Sequence, residues 1–176
     1  MSFHTGPSMR VALEQCFRSA ESEIIGALYC LDDAGLVQIL CQKAREGRSV
    51  QIVLDEGQVR RPSCSMQLQR MLELIEQGVT LYRIRVGPGF AILHHKLWIV
   101  DGSTLISGSL NPTQHGMSCN DEHVLVVRHD EAITSALEHV AGLITRATMV
   151  TTAYVSEMIH SQRDRRRSAS ASARRR

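Results

Sequence analysis

Aromatic side chains are scarce in this sequence, at 4% of residues with a single tryptophan, Trp98. Stacking of nucleobases on protein rings therefore has little to work with. Lysine is scarcer: Lys43 and Lys96 are the only two, and arginine carries the rest of the positive charge. The five cysteines, Cys16, Cys30, Cys41, Cys64 and Cys119, are odd in number and form no C-x-x-C pair, which argues against a disulfide framework. They read as small apolar residues in a reducing compartment. No apolar run approaches the roughly 20 residues that a helix needs to cross a bilayer; the longest, Ile24 to Leu31, has the length of a strand. The opening MSFHTGPSMR lacks the basic start and apolar middle of a secretory signal, so an intracellular protein is expected.

What is present fits one domain of ordinary size: 176 residues, 43% of them hydrophobic, enough to bury a core without disulfides or a structural metal. The net charge of +2 hides an asymmetry. From Arg163 to Arg176 seven arginines face one aspartate, a balance of +6, so the remainder carries −4. The expected organisation is a single domain over residues 1–162 followed by a disordered Arg/Ser-rich tail over 163–176, because the tail has no apolar residue larger than alanine. Its arginines could neutralise the phosphates of a nucleic acid or an anionic membrane, and Ser168, Ser170 and Ser172 could be phosphorylated to cancel that charge.

Helix and strand patterns alternate along the chain. Amphipathic spacing predicts helices over 8–20, 33–47, 65–78 and 130–148, with Asp32 or Asp33 as a cap and Gly47 and Gly78 as stops. Apolar runs predict strands over 22–31, 49–56, 79–86, 90–101, 104–110 and 122–129, the fourth and fifth joined by the tight-turn pair Asp101-Gly102. This pattern implies an α/β protein, a layered α-β-α sandwich around a mixed sheet.

Chemistry concentrates in LHHKLWIVDGSTLISGSLNPT, Leu93 to Thr113. Side chains alternate along a strand, so His94 and Lys96 share a face and His95 points away; Ser109 and Asn111 are likewise paired. An ammonium, a hydroxyl and an amide brought together suit the oxygens of a phosphate, and an imidazole can attack phosphorus or move a proton near neutral pH. Gly108 lets backbones approach closely. Trp98 is expected in the core. His115, Cys119 and His123 have a spacing that could suggest zinc, but they span a loop and a strand start without a fourth ligand, and no metal or cofactor is expected.

The spacing H-x-K-x4-D-x6-G-S-x-N is filled at every position, by His94, Lys96, Asp101, Gly108, Ser109 and Asn111. With it the sequence resembles the phospholipase D superfamily, from about Ser8 to Thr148, and most closely its small single-motif branch of Nuc-type endonucleases and mitochondrial cardiolipin hydrolases. The resemblance implies that His94 is the nucleophile of a phosphohistidine intermediate, that Lys96, Ser109 and Asn111 hold the phosphate, and that Glu122 orients the histidine. Asp101, although part of the signature, is better suited to holding the turn. One motif is half of such a site, so the resemblance also implies a homodimer sharing one active site across a two-fold axis, and a bell-shaped pH profile from two histidines in opposite protonation states. It leaves the location open between cytoplasm and mitochondria.

Two substrates compete. A nucleic acid needs positive charge along a groove, for which Arg60, Arg61, Arg83, Arg85 and the tail are candidates; a phospholipid needs an apolar rim, for which Phe90, Ala91 and Ile92 are candidates. Nuclease ranks above lipid hydrolase. A catalytically silent phosphate- or protein-binding module is the reading of another class, and the complete motif argues against it.

Overall fold

The structure is a computed structural model, and it describes residues 1–60, 65–89 and 91–173. Helix α1 (Pro7–Arg18) starts with proline in its first turn, where no backbone N–H is needed, and turns Met9, Ala12, Leu13 and Phe17 inward at helical spacing. Helix α2 (Ala34–Arg45) is capped by Asp33, whose carboxylate accepts from the Leu36 N–H at 3.0 Å. Between them β2 (Glu23–Leu28) pairs parallel with β3 (Ser49–Asp55), which pairs parallel with β4 (Thr80–Ile84). These are the buried, nearly continuous apolar strands that helices on both faces require.

β5 (Lys96–Val100) joins the other side of β2 antiparallel, and β6 (Thr104–Gly108) and β7 (His123–Val127) follow antiparallel. Two strands without a sequence forecast close the edges: β1 (Ser2–Thr5) on β7 and β8 (Thr148–Met149) on β4. The eight strands run β1-β7-β6-β5-β2-β3-β4-β8 in one mixed sheet. The expected α/β sandwich is thus observed.

Its layers are unequal. The larger core lies under α1, α2, α4 (Ser65–Glu76) and α7 (Thr152–Ala173); the smaller lies under α6 (Asp130–Arg146), from Ile133, Ala136, Val140 and Leu143. Two short helices, α3 (Glu56–Arg60) and α5 (Gln114–Ser118), complete the fold. Trp98 belongs to the larger core, edge-on to Phe17 at 4.8 Å, and its ring fills the space that a Cβ on Gly26 would take.

Three differences from the sequence reading have physical causes. β5 begins at Lys96, so His94 and His95 form its extended lead-in, and Ser109 and Asn111 lie just past β6. The sheet edges were missed because strands of four and two residues leave no periodicity to read. Helix α7 runs through Ala173, into the segment where composition led us to expect disorder, with Arg163, Asp164, Arg165 and Arg167 exposed. Its buried Val155 and Gln162 anchor the earlier turns, so the costly nucleus is already formed and alanine and arginine, good helix formers, extend it.

Candidate active site

The carboxyl ends of the parallel strands β2 and β3 open onto one edge of the sheet, the usual place for a site in an α/β fold. Strand register brings the motif to that edge. Lys96 pairs with Leu28 at the end of β2, and Gly108 pairs with Val124 near the start of β7. A Cβ on Gly108 would collide with the His123 carbonyl oxygen, so only glycine permits this close pass. Directly after it, Ser109 is fixed from both sides: its N–H donates to the His123 carbonyl at 3.2 Å, and its hydroxyl accepts from the His123 N–H at 3.1 Å. A hydroxyl used as acceptor keeps its own proton to donate outward.

Tyr29, one residue past β2, touches both motif residues. Its ring meets the exposed His94 ring edge-on at 4.9 Å, and the Lys96 ammonium lies 5.5 Å from its centroid. Lys96 also donates to the His94 carbonyl at 3.0 Å. Burial lowers the Lys96 pKa, while nearby Glu122 and Cys30 pull it back up. The observed interactions of Glu122 are a hydrogen bond accepted from Asn120 at 3.1 Å and a through-space charge attraction to Lys96. The histidine-orienting role implied by the resemblance is not among them.

Asn111 sits in the loop between β6 and α5, and this loop is clamped. The Asp32 and Asp33 N–H groups both donate to the Pro112 carbonyl at 3.2 Å, and the Gln114 N–H donates to Asp32 at 2.9 Å. Arg10 in turn grips Asp33 with both guanidinium nitrogens, at 3.1 and 2.6 Å. Asn111 Oδ1 is buried and has no hydrogen-bond partner among the described residues. Such a group is costly unless something uses it. The lead-in to His94 is clamped as well: Asp55, 2% exposed, accepts from the Leu93 N–H at 2.9 Å and from the Gln58 N–H at 2.7 Å.

Other predicted residues lie elsewhere. Asp101 stands at the far end of β5, five residues and roughly 16 Å of strand from Lys96. There, at φ 50°, it accepts from the Glu21, Ser22 and Glu23 N–H groups and the Ser22 hydroxyl. Burial alone would raise its pKa, but these donors outweigh it and hold the carboxyl at about 2. It is a structural staple and touches no other motif residue among these contacts. Arg83 is half-buried and held by Glu56 at 2.6 Å and by the Tyr154 ring, 4.4 Å from its guanidinium carbon. Arg60 is exposed with a loose pairing to Glu56 at 3.6 Å, and Arg85 is exposed just beyond β4. Arg61 and Phe90 lie outside the described residues.

Sequence reasoning missed Tyr29, Asp32 and Asp55. They share a position, each at or within four residues past the carboxyl end of β2 or β3, a parallel pair.

Comparison with known proteins identifies the family. A family described as "Cardiolipin synthase, PLD-like domain" matches residues 13–144. The chain belongs to this phospholipase D-like family. A phospholipase D from Rickettsia felis is 29% identical over 121 residues, covering 68% of this chain and 56% of that protein. A mitochondrial cardiolipin hydrolase from Chlamydomonas reinhardtii is 24% identical over 132 residues, covering 75% of this chain and 55% of that protein. The chain thus spans little more than half the length of these two relatives. Among solved structures, Nuc from Salmonella typhimurium, a phospholipase D family member, superposes with a TM-score of 0.76 at 25% identity, covering 86% of this chain and 99% of that one. NucT from Helicobacter pylori superposes at 0.75 and 18% identity, covering 84% and 96%.

Proposed function

We propose that this protein is a metal-independent phosphodiesterase that works through a phosphohistidine on His94, and that it cleaves RNA or DNA as a homodimer. The observation that carries the reading is that one side chain, Tyr29, touches both His94 and Lys96 at the sheet edge where Ser109 also stands. In this reading His94 is the nucleophile, Lys96 the cation and Ser109 the hydroxyl donor, and Asn111 contributes its amide N–H, the group that can donate to a phosphate oxygen.

The chemistry follows from these groups. A neutral His94 ring attacks phosphorus and forms a P–N bond, while the same histidine of a second copy protonates the departing alkoxide. Lys96, Ser109 and the Asn111 amide hold the non-bridging oxygens as charge builds on them. Water, deprotonated by the second histidine, then attacks phosphorus and releases His94. Glu122 would stabilise the ring that becomes charged. A single chain supplies one such histidine, hence the dimer. Arg60, Arg85 and the exposed arginines of α7 would contact the backbone of a bound nucleic acid.

Hydrolysis of cardiolipin or another phospholipid at a membrane surface is the second reading. It is favoured by the exposure of Ile92, 38%, two residues before His94, and by the names of several relatives. Labelled single-stranded RNA, single- and double-stranded DNA and cardiolipin liposomes, offered side by side with EDTA present, separate the readings. Cleavage of a nucleic acid alone supports the first, and cardiolipin turnover alone replaces it with the second. Turnover of none would leave a silent binding module.

A further inference from the structure

Behind the nucleophile, on the side of the sheet covered by α6, lies a second pair of imidazoles that the proposed reaction does not use. His95 precedes β5, His139 lies midway along α6, and their Nε2 atoms are 3.0 Å apart with the rings nearly perpendicular, at 78°. At that distance one Nε2 carries a proton and the other accepts it, so the two rings hold opposite tautomers. The two Nε2 atoms face each other.

We propose that this pair is a two-histidine chelate for a divalent transition metal, Cu2+ or Ni2+ before Zn2+. Metal–nitrogen bonds of about 2.0–2.1 Å drawn to nitrogens 3.0 Å apart meet at an angle of about 94°. That is close to the right angle between neighbouring ligands in the tetragonal sites that Cu2+ and Ni2+ prefer. A tetrahedral zinc ion needs its nitrogens about 3.3 Å apart, so the pair would have to open by about 0.3 Å. Entry of the metal requires one change of tautomer, Nε2–H to Nδ1–H on the donor ring, and releases no net proton from the neutral pair.

The ligands are placed in advance. The His95 carbonyl accepts from the Tyr29 N–H at 3.0 Å, which ties its backbone to the end of β2. His139 rides on a helix anchored by the buried Ile133, Ala136, Val140 and Leu143. Ligands on fixed elements lose little freedom on binding. No third histidine, cysteine, aspartate or glutamate completes a metal cluster among the described residues, so water fills the other positions. A dication there would fasten α6 to the lead-in of β5, the segment that carries His94 on its other face, and inhibition by restricting that segment is the consequence. That consequence rests on His94 being the nucleophile; the binding itself does not.

The test uses the full chain, freed of metal and titrated with Cu2+ for electron paramagnetic resonance and with Ni2+ for thermal melting. One equivalent of Cu2+ is expected to show hyperfine coupling to two imidazole nitrogens, and Ni2+ to raise the melting temperature. Replacing one ligand, in His139→Gln, should remove the two-nitrogen signal and the Ni2+ stabilisation, while His115→Gln should keep both. A wild-type copper spectrum without two nitrogens overturns the proposal whatever the variants do, and so does unchanged stabilisation in His139→Gln. Two-nitrogen binding without inhibition leaves the chelate standing and counts against His94 as nucleophile.

Discussion

Two lysines in one chain have opposite uses. Lys43 is 9% exposed; its ammonium donates to the Ala20 carbonyl at 3.1 Å and pairs with Glu46 at 3.2 Å, so it serves the fold. Lys96 lies half-buried at the sheet edge beside Tyr29 and His94. Lys43→Met should therefore lower the melting temperature and spare turnover, whereas Lys96→Gln should do the reverse; thermal melts beside rate measurements on both variants check this. Asp101 gives the pH prediction. Its carboxyl titrates at about 2 in the folded protein, below the usual 3.9 or so of an unfolded aspartate. A depressed pKa contributes stability that is fully present above the unfolded value and is lost as pH falls from about 4 toward 2. Asp101→Ala should cost about 2 kcal/mol near neutral pH, the scale of hydrogen bonds to a charged acceptor, and should flatten the loss of stability in that acid window, as urea unfolding at several pH values would show. His94, Lys96, Ser109 and Asn111 were legible as a spacing. Tyr29 and Asp55 were not, because their contacts cross from one strand to another and leave no local mark.

At the level of elements, the pass of β6 against β7 decides where Ser109 stands. Gly108→Ala would drive a methyl group into the His123 carbonyl. The expected result is a loss of about 2 kcal/mol, typical of overpacking, together with turnover reduced further than stability alone explains, measured by urea midpoint and rate on the same preparation. The central strands and α1, α2, α4 and α6 were legible because their periodicities are long. Helix α7 was not, because composition says whether a segment can order itself and is silent on a helix that starts from packed residues such as Val155. Truncation after Gln162 should leave the melting temperature within a degree or two while weakening nucleic-acid binding and flattening its salt dependence, because phosphate-contacting arginines are removed and the buried turns are kept.

For the whole molecule, one motif on one sheet edge means that the site proposed here is complete only in a pair. Light scattering is expected to give twice the 19.6 kDa of the chain, and a monomer that turns over substrate would remove the shared site. The direct test of His94 as a phosphorus-attacking nucleophile is turnover of bis(4-nitrophenyl) phosphate in the presence of EDTA, by wild type and by His94→Asn of matching circular dichroism. Release of nitrophenol by the wild type, lost by at least about a thousandfold in the variant, is the predicted result, on the scale seen when a catalytic nucleophile is removed. Activity retained by His94→Asn, or activity that EDTA removes and added metal restores, would contradict it.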